Sequence, residues 1–405
     1  MKILFLAPDI NLRLKMNGGA GTHMRASIDQ LKLKGHEIFP IIGGDIFSNT
    51  RSGFHKIKSN SFLSQIKKII PSELKKTVQD FRIIKLNKKI KNYILNNIDI
   101  SSFDIIYERS GYGYDVGSYL SKKFCKPHVL ESDVLMLDLK KEYTSKIFNN
   151  FIYRFLEKKK FHNASSIAVQ SQYSVNICKN YWDIRHDKIY NKDLGISISN
   201  QKFGDNSFEL KKSLNLSDKI VIGFVGYFMP YQKIEILLEA ALKFIKNKNV
   251  VFLFVGGGQL IEKYKHFKTK NDLDNVSFTG IVDKTLVHKY YGVLDIAVIP
   301  NCAFHMYPVK FLEYVINKLP VAIPNFEVFQ EFYENNDVFN EYVFEPKNPD
   351  SLFNKLIYII NNLERLTTQM NFSYNYAKTK KTWSNCGNNL DKILKITCKN
   401  FSLND

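Results

Sequence analysis

Two apolar runs with a helical pattern between them form the most regular stretch of the chain. Asp295–Pro300 and Leu319–Pro324 have the length and composition of buried parallel strands. Tyr307–Asn317 predicts a helix, with Pro308 near its first turn, where a missing N–H group costs little. The predicted helix carries an apolar stripe formed by Phe311, Leu312, Val315 and Ile316. The pattern therefore predicts a strand–loop–helix–strand unit.

The loop of this unit is a candidate binding site. Asn301–Tyr307 opens at the carboxyl edge of the predicted sheet, where open α/β sheets bind their ligands. Free backbone N–H groups at the start of the following helix suit a phosphate or diphosphate. Glu313 lies less than two turns into that helix, within reach of a ribose hydroxyl. Without this context, a glutamate at this position would more often belong to the solvated face of a helix.

The alternation of apolar strands with amphipathic helices continues along the chain and predicts an α/β fold. The other predicted strands are Lys2–Ala7, His36–Ile42, Asp104–Glu108, His128–Glu131, Ser165–Gln170, Ile220–Val225, Val250–Val255 and Val276–Thr279. The other predicted helices are His23–Leu33, Phe62–Asn97 with a break at Pro71, Tyr112–Phe124, Tyr143–His162, Ser174–Tyr181, Ile234–Lys246, Pro349–Asn361 and Trp383–Lys399.

A polar stretch interrupts this alternation at Ser199–Asp218. We therefore predict an N-terminal domain at residues 1–200, a linker at 201–218 and a C-terminal domain at 219–382. A length of 405 residues and a hydrophobic content of 44% agree with two domains of ordinary size. Two α/β halves of similar size predict a deep cleft between them.

A glycine-rich turn, NGGAGT at Asn17–Thr22, follows the first predicted strand. Gly18, Gly19 and Gly21 let the backbone approach an anion closely, and the start of the next helix adds its positive end. The spacing differs from G-x-G-x-x-G, so the turn is not a compact dinucleotide fingerprint. It is either an anion site or simply a flexible turn.

Basic residues concentrate in one part of a chain whose net charge is +19. From Lys56 to Ile94 there are eleven lysines and arginines, and only Glu73 and Asp80 oppose them. Apolar residues on both sides of Pro71 make this stretch amphipathic. Residues 56–94 therefore suit an anionic membrane surface, although a packed helix with its polar face in water gives the same pattern.

Composition also limits the compartment and the partners. Five cysteines without a C-x-x-C pair suggest a reducing compartment, so we predict a cytoplasmic protein. The start, MKILFLAPDI, is too short for a signal peptide, and no apolar run approaches the roughly 20 residues of a membrane span. A basic chain also suits nucleic acid, but no basic motif with interleaved aromatics and no zinc pattern supports that partner.

The central unit resembles the donor site of a known enzyme family. P-x-K-x-x-E-Y at Pro308–Tyr314, with Pro-Val at the next strand, is similar to the donor-nucleotide site of glycosyltransferase family 4. The resemblance implies that Glu313 binds the ribose of a sugar nucleotide. The family has an earlier glutamate, with seven residues between the two, and His305 occupies that position here. A histidine can still hydrogen-bond a sugar hydroxyl or a phosphate.

The loop after Ile220–Val225 carries an arginine and a lysine in that family, and they neutralise the donor diphosphate. Here the loop is GYFMPYQKIE, which places Tyr227 at the arginine and Gln232 at the lysine. Lys233 is adjacent to the second position, and Lys310 is the best candidate for a compensating cation. The resemblance thus implies a catalytic set of His305, Lys233 and Lys310. It also implies donor-nucleotide contacts at Glu313, Gly226, Tyr227, Gly257, Val282, Pro308, Val309 and Glu331.

The N-terminal half resembles the same family at two places. In the family, the glycine loop at Gly18 and Gly19 lies across the cleft from the donor diphosphate. The motif Y-E-R, here Tyr107 followed by Glu108 and Arg109, ends one strand, and an acidic residue ends the next. The resemblance implies that Glu108 and Arg109 face the cleft from the acceptor side.

The resemblance implies a GT-B fold, in which two Rossmann-like doubly wound domains face each other and a C-terminal helix at 383–400 packs back on the first. It implies retaining transfer of a sugar from a nucleotide diphosphate sugar to a glycan or lipid-linked acceptor. No metal is needed, because protein cations and helix dipoles replace it. We predict a role in surface polysaccharide synthesis, at the inner face of the membrane.

Other functions fit parts of the sequence. The departures at His305, Tyr227 and Gln232 suggest a degenerate binding or scaffold protein on the same fold. A sugar-nucleotide epimerase on a related fold would need a constellation of catalytic carboxylates, and none is recognisable in the sequence.

Overall fold

A computed structural model describes residues 1–16, 18–47, 71–132, 144–197, 205–283 and 285–403. The chain divides into two compact units. The first unit comprises Met1–Gly195 together with Trp383–Asp405, and the second comprises Ile196–Thr382.

The first unit is built on a six-stranded parallel sheet in the order β2-β1-β3-β4-β5-β6. Its strands are β1 Lys2–Ala7, β2 Glu37–Ile42, β3 Ile105–Arg109, β4 His128–Glu131, β5 Ser166–Val169 and β6 Ile189–Asn191. Its helices are α1 Gly19–Leu33, α2 Gly43–Ile46, α3 Ser72–Asn97, α4 Val116–Phe124, α5 Arg154–Asn163 and α6 Gln172–Trp182. A π-helical turn, Phe148–Tyr153, leads directly into α5. Short 3₁₀ turns lie at Ile100–Ser102 and His186–Lys188.

Two apolar clusters form the core of this unit. One includes Leu4 and Ile106 of the sheet with Ile90 and Ile94 of α3, and the other packs α5 and α6 beside β5. Strands β1, β3, β4 and β5 are almost wholly buried, as expected for a parallel sheet covered on both faces.

The last helix of the chain, α7 in the numbering of the first unit, spans Trp383–Ser402 and packs against α1, β4 and β5. Leu390 and Leu394 are buried, and the Thr397 hydroxyl donates to Ser166 Oγ at 2.7 Å. Asp391 Oδ1 lies 2.8 Å from His36 Nε2. Apolar packing and polar bonds thus both fix the C-terminal segment to the first unit.

The second unit has its own six-stranded parallel sheet, in the order β12-β11-β10-β7-β8-β9. Its strands are β7 Ile220–Val225, β8 Val250–Val255, β9 Val276–Gly280, β10 Ile296–Val298, β11 Val321–Pro324 and β12 Val343–Phe344. Its helices, which continue the numbering, are α8 Asp205–Ser213, α9 Glu235–Lys243, α10 Ile261–Lys270, α11 Val287–Tyr291, α12 Val309–Ile316, α13 Asn336–Asn340, α14 Pro349–Asn361 and α15 Leu363–Lys380. Short 3₁₀ helices lie at Pro230–Gln232 and Glu327–Phe332.

The predicted linker differs from the structure. Residues 201–218 contain α8, which belongs to the second unit, and the units divide between Gly195 and Ile196. Lys211 of α8 pairs with Asp295 at 2.8 Å, and Leu216 is buried. The polar composition of this stretch led to the prediction of a linker. The short helix is anchored by an ion pair rather than by an apolar stripe, so the apolar pattern of the sequence does not reveal it.

Several predicted bounds also change. The helix expected from Tyr112 begins at Val116, because Gly113 has a φ of 78° and the residues before α4 form a turn. The helix expected over Tyr143–His162 is a π-helical turn followed by α5. Of the predicted Phe62–Asn97 helix, residues 62–70 lie outside the described residues. Pro71 is the N-cap of α3, so this helix begins directly after the proline.

Besides α8, four helices of the second unit, α10, α11, α13 and α15, are absent from the sequence prediction. Their positions were assigned to no element because their polar faces outweigh their apolar stripes. Among the residues that the structure describes, no helix combines the length and the apolar character needed to cross a membrane.

Candidate functional site

The candidate site of the second unit is built on the exits of neighbouring strands. Gly226 follows β7 and Gly256 follows β8, and both have positive φ, 146° and 122°. A Cβ on Gly256 would overlap the carbonyl oxygen of Gly226, so only glycine allows the two turns to pack this closely. Phe228 N–H donates to the Gly257 carbonyl at 2.8 Å. The glycine cluster is therefore a close backbone contact between two strand exits.

Lys310, in the first turn of α12, lies directly above this contact. Its Nζ would be 2.8 Å from a Cβ on Gly226, and it lies 4.0 Å from the centre of the Phe224 ring. Within the described part of the chain, this buried ammonium contacts no hydrogen-bond acceptor. Burial lowers the pKa of Lys310 to about 7, although the Glu313 carboxylate opposes that shift. A buried cation in such a position is ready to pair with an anion.

Glu313 lies one turn further along the same helix. Its Oε2 accepts a hydrogen bond from the Tyr291 hydroxyl of α11 at 2.7 Å. Burial raises the pKa of Tyr291 well above its usual value, and the Glu313 charge raises it further, so the tyrosine stays a donor. The neighbouring Tyr314 hydroxyl accepts from the Val225 N–H at 2.8 Å and holds α12 against β7. Glu313 is thus oriented by a fixed partner.

The start of α12 differs slightly from the sequence prediction. Pro308 is the N-cap, with extended backbone, and Val309 is the first helical residue. The helix ends at Ile316, one residue earlier than predicted. Its first turn carries Lys310 and follows the β10 exit, so the positive end of the helix and the ammonium lie together.

The loop between β7 and α9 carries the residues at the basic positions of the resemblance. Tyr227 is exposed at 52%, whereas Gln232 is buried and its Oε1 accepts from the Met229 N–H at 3.2 Å. Lys233 has a left-handed backbone, with a φ of 49°, immediately before α9. Gln232 thus closes its own loop, and Lys310 is the cation that the structure places on the glycine turn.

His305 is buried in the loop that follows β10. Its ring packs edge-on against Phe304, with centroids 5.2 Å apart. Burial lowers the pKa of His305 to about 4, so the imidazole is neutral near neutral pH.

Two other residues were predicted to contact the nucleotide, Val282 and Glu331. Val282 is half-buried in the loop after β9, next to Ile281, which approaches Gly257. Glu331 accepts from the Tyr376 hydroxyl at 2.9 Å and pairs with Lys381 Nζ at 3.1 Å. These bonds tie the 3₁₀ helix Glu327–Phe332 to the end of the unit, which is a structural role for this glutamate.

In the first unit, the glycine turn begins α1. Gly18 is the N-cap with a φ of 96°, its carbonyl accepts from the Thr22 N–H, and Gly19 is the first helical residue. A Cβ on Gly21 would overlap the Met16 carbonyl, so this glycine serves packing. Gly18 has open space around it, which leaves the helix start accessible from that side.

Arg109 joins a buried charged network at the carboxyl ends of β3, β4 and β6. Its Nη1 donates to Glu131 Oε1 at 2.7 Å and lies 2.7 Å from His23 Nδ1. Lys192 Nζ is 2.7 Å from His23 Nε2, and the Tyr107 hydroxyl donates to Glu131. Burial lowers the pKa of His23 well below its usual value, so Arg109 and Lys192 carry the positive charge. Burial would raise the pKa of Glu131, but the neighbouring positive charge outweighs it and lowers that pKa.

Glu108 does not join this network, which corrects the sequence prediction. Side chains alternate along a strand, so Glu108 points to the opposite face of β3 from Tyr107 and Arg109. Its Oε2 lies 3.1 Å from His128 Nε2, and both side chains are fully buried. Gly117 of α4 sits directly over the carboxylate. Glu108 is a core residue beneath α4.

Sequence reasoning missed three members of these sites: His23, Lys192 and Tyr291. His23 follows the glycine turn by one helical turn, which is a spacing that could have suggested it. Lys192 lies in NKDLGIS directly after a three-residue strand that was too short to recognise. Tyr291 gave no signal in the sequence, because its link to Glu313 depends on how α11 packs against α12.

Known proteins resemble this chain in sequence and in fold. A family model described as glycosyl transferases group 1 matches residues 219–362. The match covers most of the second unit. An uncharacterized glycosyltransferase of Methanocaldococcus jannaschii is 26% identical over 302 residues, which cover 74% of this chain and 77% of that protein. The resemblance that the sequence suggested is confirmed: the chain is a glycosyltransferase.

Solved structures show the same fold for the glycosyltransferase. HepE of Anabaena, crystallised with UDP, has a TM-score of 0.69 and 17% identity, covering 98% of this chain and 100% of HepE. Sucrose-phosphate synthase of Thermosynechococcus elongatus has a TM-score of 0.69 and 15% identity, with 98% of each chain covered. The predicted GT-B fold is confirmed. At these identities the solved structures establish the fold alone.

Proposed function

We propose that the glycosyltransferase transfers a sugar, with retention of configuration, from a nucleotide diphosphate sugar bound in the second unit. The observation that carries the proposal is Lys310: a buried ammonium without an acceptor in the described structure, held over the Gly226 turn at the start of α12. Such a cation has a free energy cost that an anionic ligand would offset. HepE, which shares the fold, has been crystallised with UDP and with UDP-glucose.

Each group would bind a different part of the donor. A diphosphate at the strand exits would pair with Lys310 and accept hydrogen bonds from the backbone N–H groups at the start of α12. The ribose would hydrogen-bond the Glu313 carboxylate, which the Tyr291 hydroxyl orients through Oε2. Lys310 and Glu313 are three residues apart on α12, about 4.5 Å along the helix axis, so the diphosphate and the ribose of one nucleotide can contact both.

Lys310 also suits the chemistry of transfer. When the bond between the anomeric carbon and the diphosphate oxygen breaks, the diphosphate leaves with additional negative charge. A cation already in place stabilises that charge without reorganisation, which is the largest contribution in many enzymes. The acceptor hydroxyl oxygen forms the new glycosidic bond to the anomeric carbon, and its proton passes to the departing diphosphate. This account uses protein cations, so it needs no metal ion.

The acceptor we propose is a glycan or a lipid-linked glycan of a surface polysaccharide, used at the cytoplasmic face of a membrane. The support is electrostatic. Of the predicted membrane-binding residues 56–94, those from 71 onward are described and lie mainly in α3, which exposes several lysines around Lys85. Residues 56–70 lie outside the described residues.

Release of nucleoside diphosphate tests the proposal. The protein would be incubated with UDP-, GDP- and ADP-hexoses and a membrane lipid extract, and free nucleoside diphosphate would be measured. We expect release from one donor class and a loss of roughly 100-fold or more in kcat/KM for Lys310→Met. Lys248→Met, which changes an exposed lysine of the same unit, should behave as wild type. The anomeric configuration of the product, measured by NMR, tests retention.

A second candidate is a nucleotide-binding protein that no longer transfers sugar. The burial of His305 and the internal hydrogen bond of Gln232 favour this candidate. In the resemblance, these residues stand where the family has a glutamate and a lysine in its donor site. This candidate predicts nucleotide binding without release of nucleoside diphosphate from any donor. Turnover that depends on Lys310 would exclude it.

A further inference from the structure

We infer that the first unit docks onto an anionic lipid bilayer through an apolar face that two adjacent helical segments share. This face is distinct from the donor site, and it extends the electrostatic attachment proposed for α3 by adding residues that enter the bilayer. We call it the apolar face, and it consists of Leu74, Val78, Phe81, Ile147, Phe151 and Phe155.

The apolar face consists of two rows with helical spacing. Leu74, Val78 and Phe81 follow one side of α3, and each is more than half exposed. The residues of the second row are four apart on the π-helical turn and α5, and Phe151, at its centre, is 72% exposed. Large apolar side chains this exposed, in contiguous rows, mark an interaction surface rather than ordinary scatter.

Buried polar bonds hold the two rows side by side. Asp80 of α3 accepts from both the N–H and the hydroxyl of Ser145 at 2.9 Å, and from the Tyr153 hydroxyl at 3.1 Å. The rings of Phe81 and Phe148 meet edge-on, with centroids 4.9 Å apart. The face is therefore built by the fold, so its rows have a fixed spacing when they meet a partner.

The charges around the apolar face select the partner. Exposed basic residues flank both rows: Lys75, Arg82 and Lys85 on α3, and Lys146, Arg154 and Lys158 on the other segment. The acidic residues of these segments are buried or paired with a lysine. Asp80 is fully buried, Glu157 pairs with buried Lys160 at 2.8 Å, and Glu73 pairs with Lys76 at 3.0 Å. An apolar centre with an almost wholly cationic border fits the acyl boundary and headgroups of an anionic leaflet.

Vesicle co-sedimentation of the full chain tests the inference. Wild-type protein should bind vesicles of phosphatidylcholine with about one third phosphatidylserine, and bind pure phosphatidylcholine at least tenfold more weakly. The variant Phe151→Ser/Phe155→Ser should lose at least tenfold in binding to the anionic vesicles. A matched control, Phe208→Ser/Phe372→Ser, removes two exposed phenylalanines of the second unit and should bind as wild type.

Three results would overturn the inference. They are unchanged binding of the Phe151/Phe155 variant, equal binding to both kinds of vesicle, and a wild-type dimer in sedimentation velocity that the variant abolishes. The last would make the apolar face an interface between copies of the chain.

A second measurement covers the case in which the double variant is unstable. Phe151→Trp keeps an apolar ring, and its added fluorescence should be quenched by brominated acyl chains in anionic vesicles. Phe208→Trp should not be quenched beyond the background of the two native tryptophans. Absence of quenching in Phe151→Trp, with the protein bound to the vesicles, would exclude insertion through this face.

Discussion

Lys310 shows how one residue can be costly for folding and useful for binding. The fold buries its Nζ against the Phe224 ring and the Gly226 turn, and burial lowers its pKa to about 7. A protein that needed only stability would place an apolar side chain at this position. Retention of the lysine is explained if an anion normally occupies the site.

Lys310→Met should therefore stabilise the free protein while weakening nucleotide binding. Removing a buried ammonium without an acceptor should raise the free energy of unfolding by roughly 1–3 kcal/mol. Denaturant unfolding near pH 7 measures the first effect, and titration calorimetry with the preferred nucleotide measures the second. Lys248→Met is the control, because that side chain is exposed and should change neither quantity. A less stable Lys310→Met protein would contradict this account.

The same lysine predicts a pH dependence of binding. An anion favours the charged form, so Lys310 should take up a proton when a nucleotide binds above pH 7, and the affinity should fall as pH rises from 7 to about 9. Calorimetry in two buffers with different ionisation enthalpies measures the proton uptake. In Lys310→Arg the guanidinium stays charged, so its affinity should not vary over this range.

The stability of the free protein should show the opposite trend for this group. Between the folded pKa of about 7 and the usual value of 10.5, the unfolded chain binds more protons at Lys310 than the folded chain does. Its contribution to the free energy of unfolding therefore rises with pH through this window, and Lys310→Met should lack that rise. A wild type and variant with parallel stability profiles would show that the lysine is not buried as described.

For single residues, the sequence was most informative about side chains that lie close together along the chain. It placed Lys310 and Glu313 on one helix that follows a strand exit, and the structure has them on that helix. It misplaced Glu108, whose buried position under α4 follows from strand alternation and from Gly117, which sequence spacing alone did not bring together. Tyr291 and Lys192 needed tertiary structure, because their partners are distant in the chain.

At the scale of elements, the close contact between the β7 and β8 exits determines where the site can form. Gly256→Ala should destabilise the second unit by roughly 2–4 kcal/mol, because a Cβ would overlap the Gly226 carbonyl and the φ of 122° is strained for alanine. Denaturant unfolding measures this cost.

Gly280→Ala is the matched control for that substitution. Gly280 also has a positive φ, 73°, but a Cβ there meets open space. Gly280→Ala should therefore lower the free energy of unfolding only by the cost of a positive φ in alanine, about 1–2 kcal/mol. Equal effects of the two substitutions would show that the overlap with Gly226 is not what fixes the turn.

Strands and apolar helices of the fold were predictable from the sequence, and polar elements were not. β4, β7, β8 and α14 have the bounds that the pattern predicted, because each is a clear apolar or amphipathic run. α8 was mistaken for a linker, since an ion pair between Lys211 and Asp295 anchors it. The π-helical turn before α5 cannot be distinguished from an ordinary helix by apolar periodicity.

For the whole molecule, the division of labour follows the two units. The second unit carries the glycosyl transferases group 1 match and the proposed donor site, and the first unit carries the proposed membrane-binding face. The net charge of +19 is explained in part by the exposed basic residues around α3 and α5. Charge alone does not indicate a partner, whereas the arrangement of apolar residues among the charges favours the proposed anionic membrane.

The central claim is that a nucleotide binds at Lys310 and Glu313, and thermal unfolding with UDP, GDP, ADP and CMP tests it most directly. A ligand at about 100 times its dissociation constant should stabilise the protein by roughly 2.7 kcal/mol. We predict a shift with one nucleotide that Glu313→Gln largely abolishes, while Tyr291→Phe, which leaves the carboxylate in place, retains it. No shift with any nucleotide, or an equal shift in Glu313→Gln, would contradict the account.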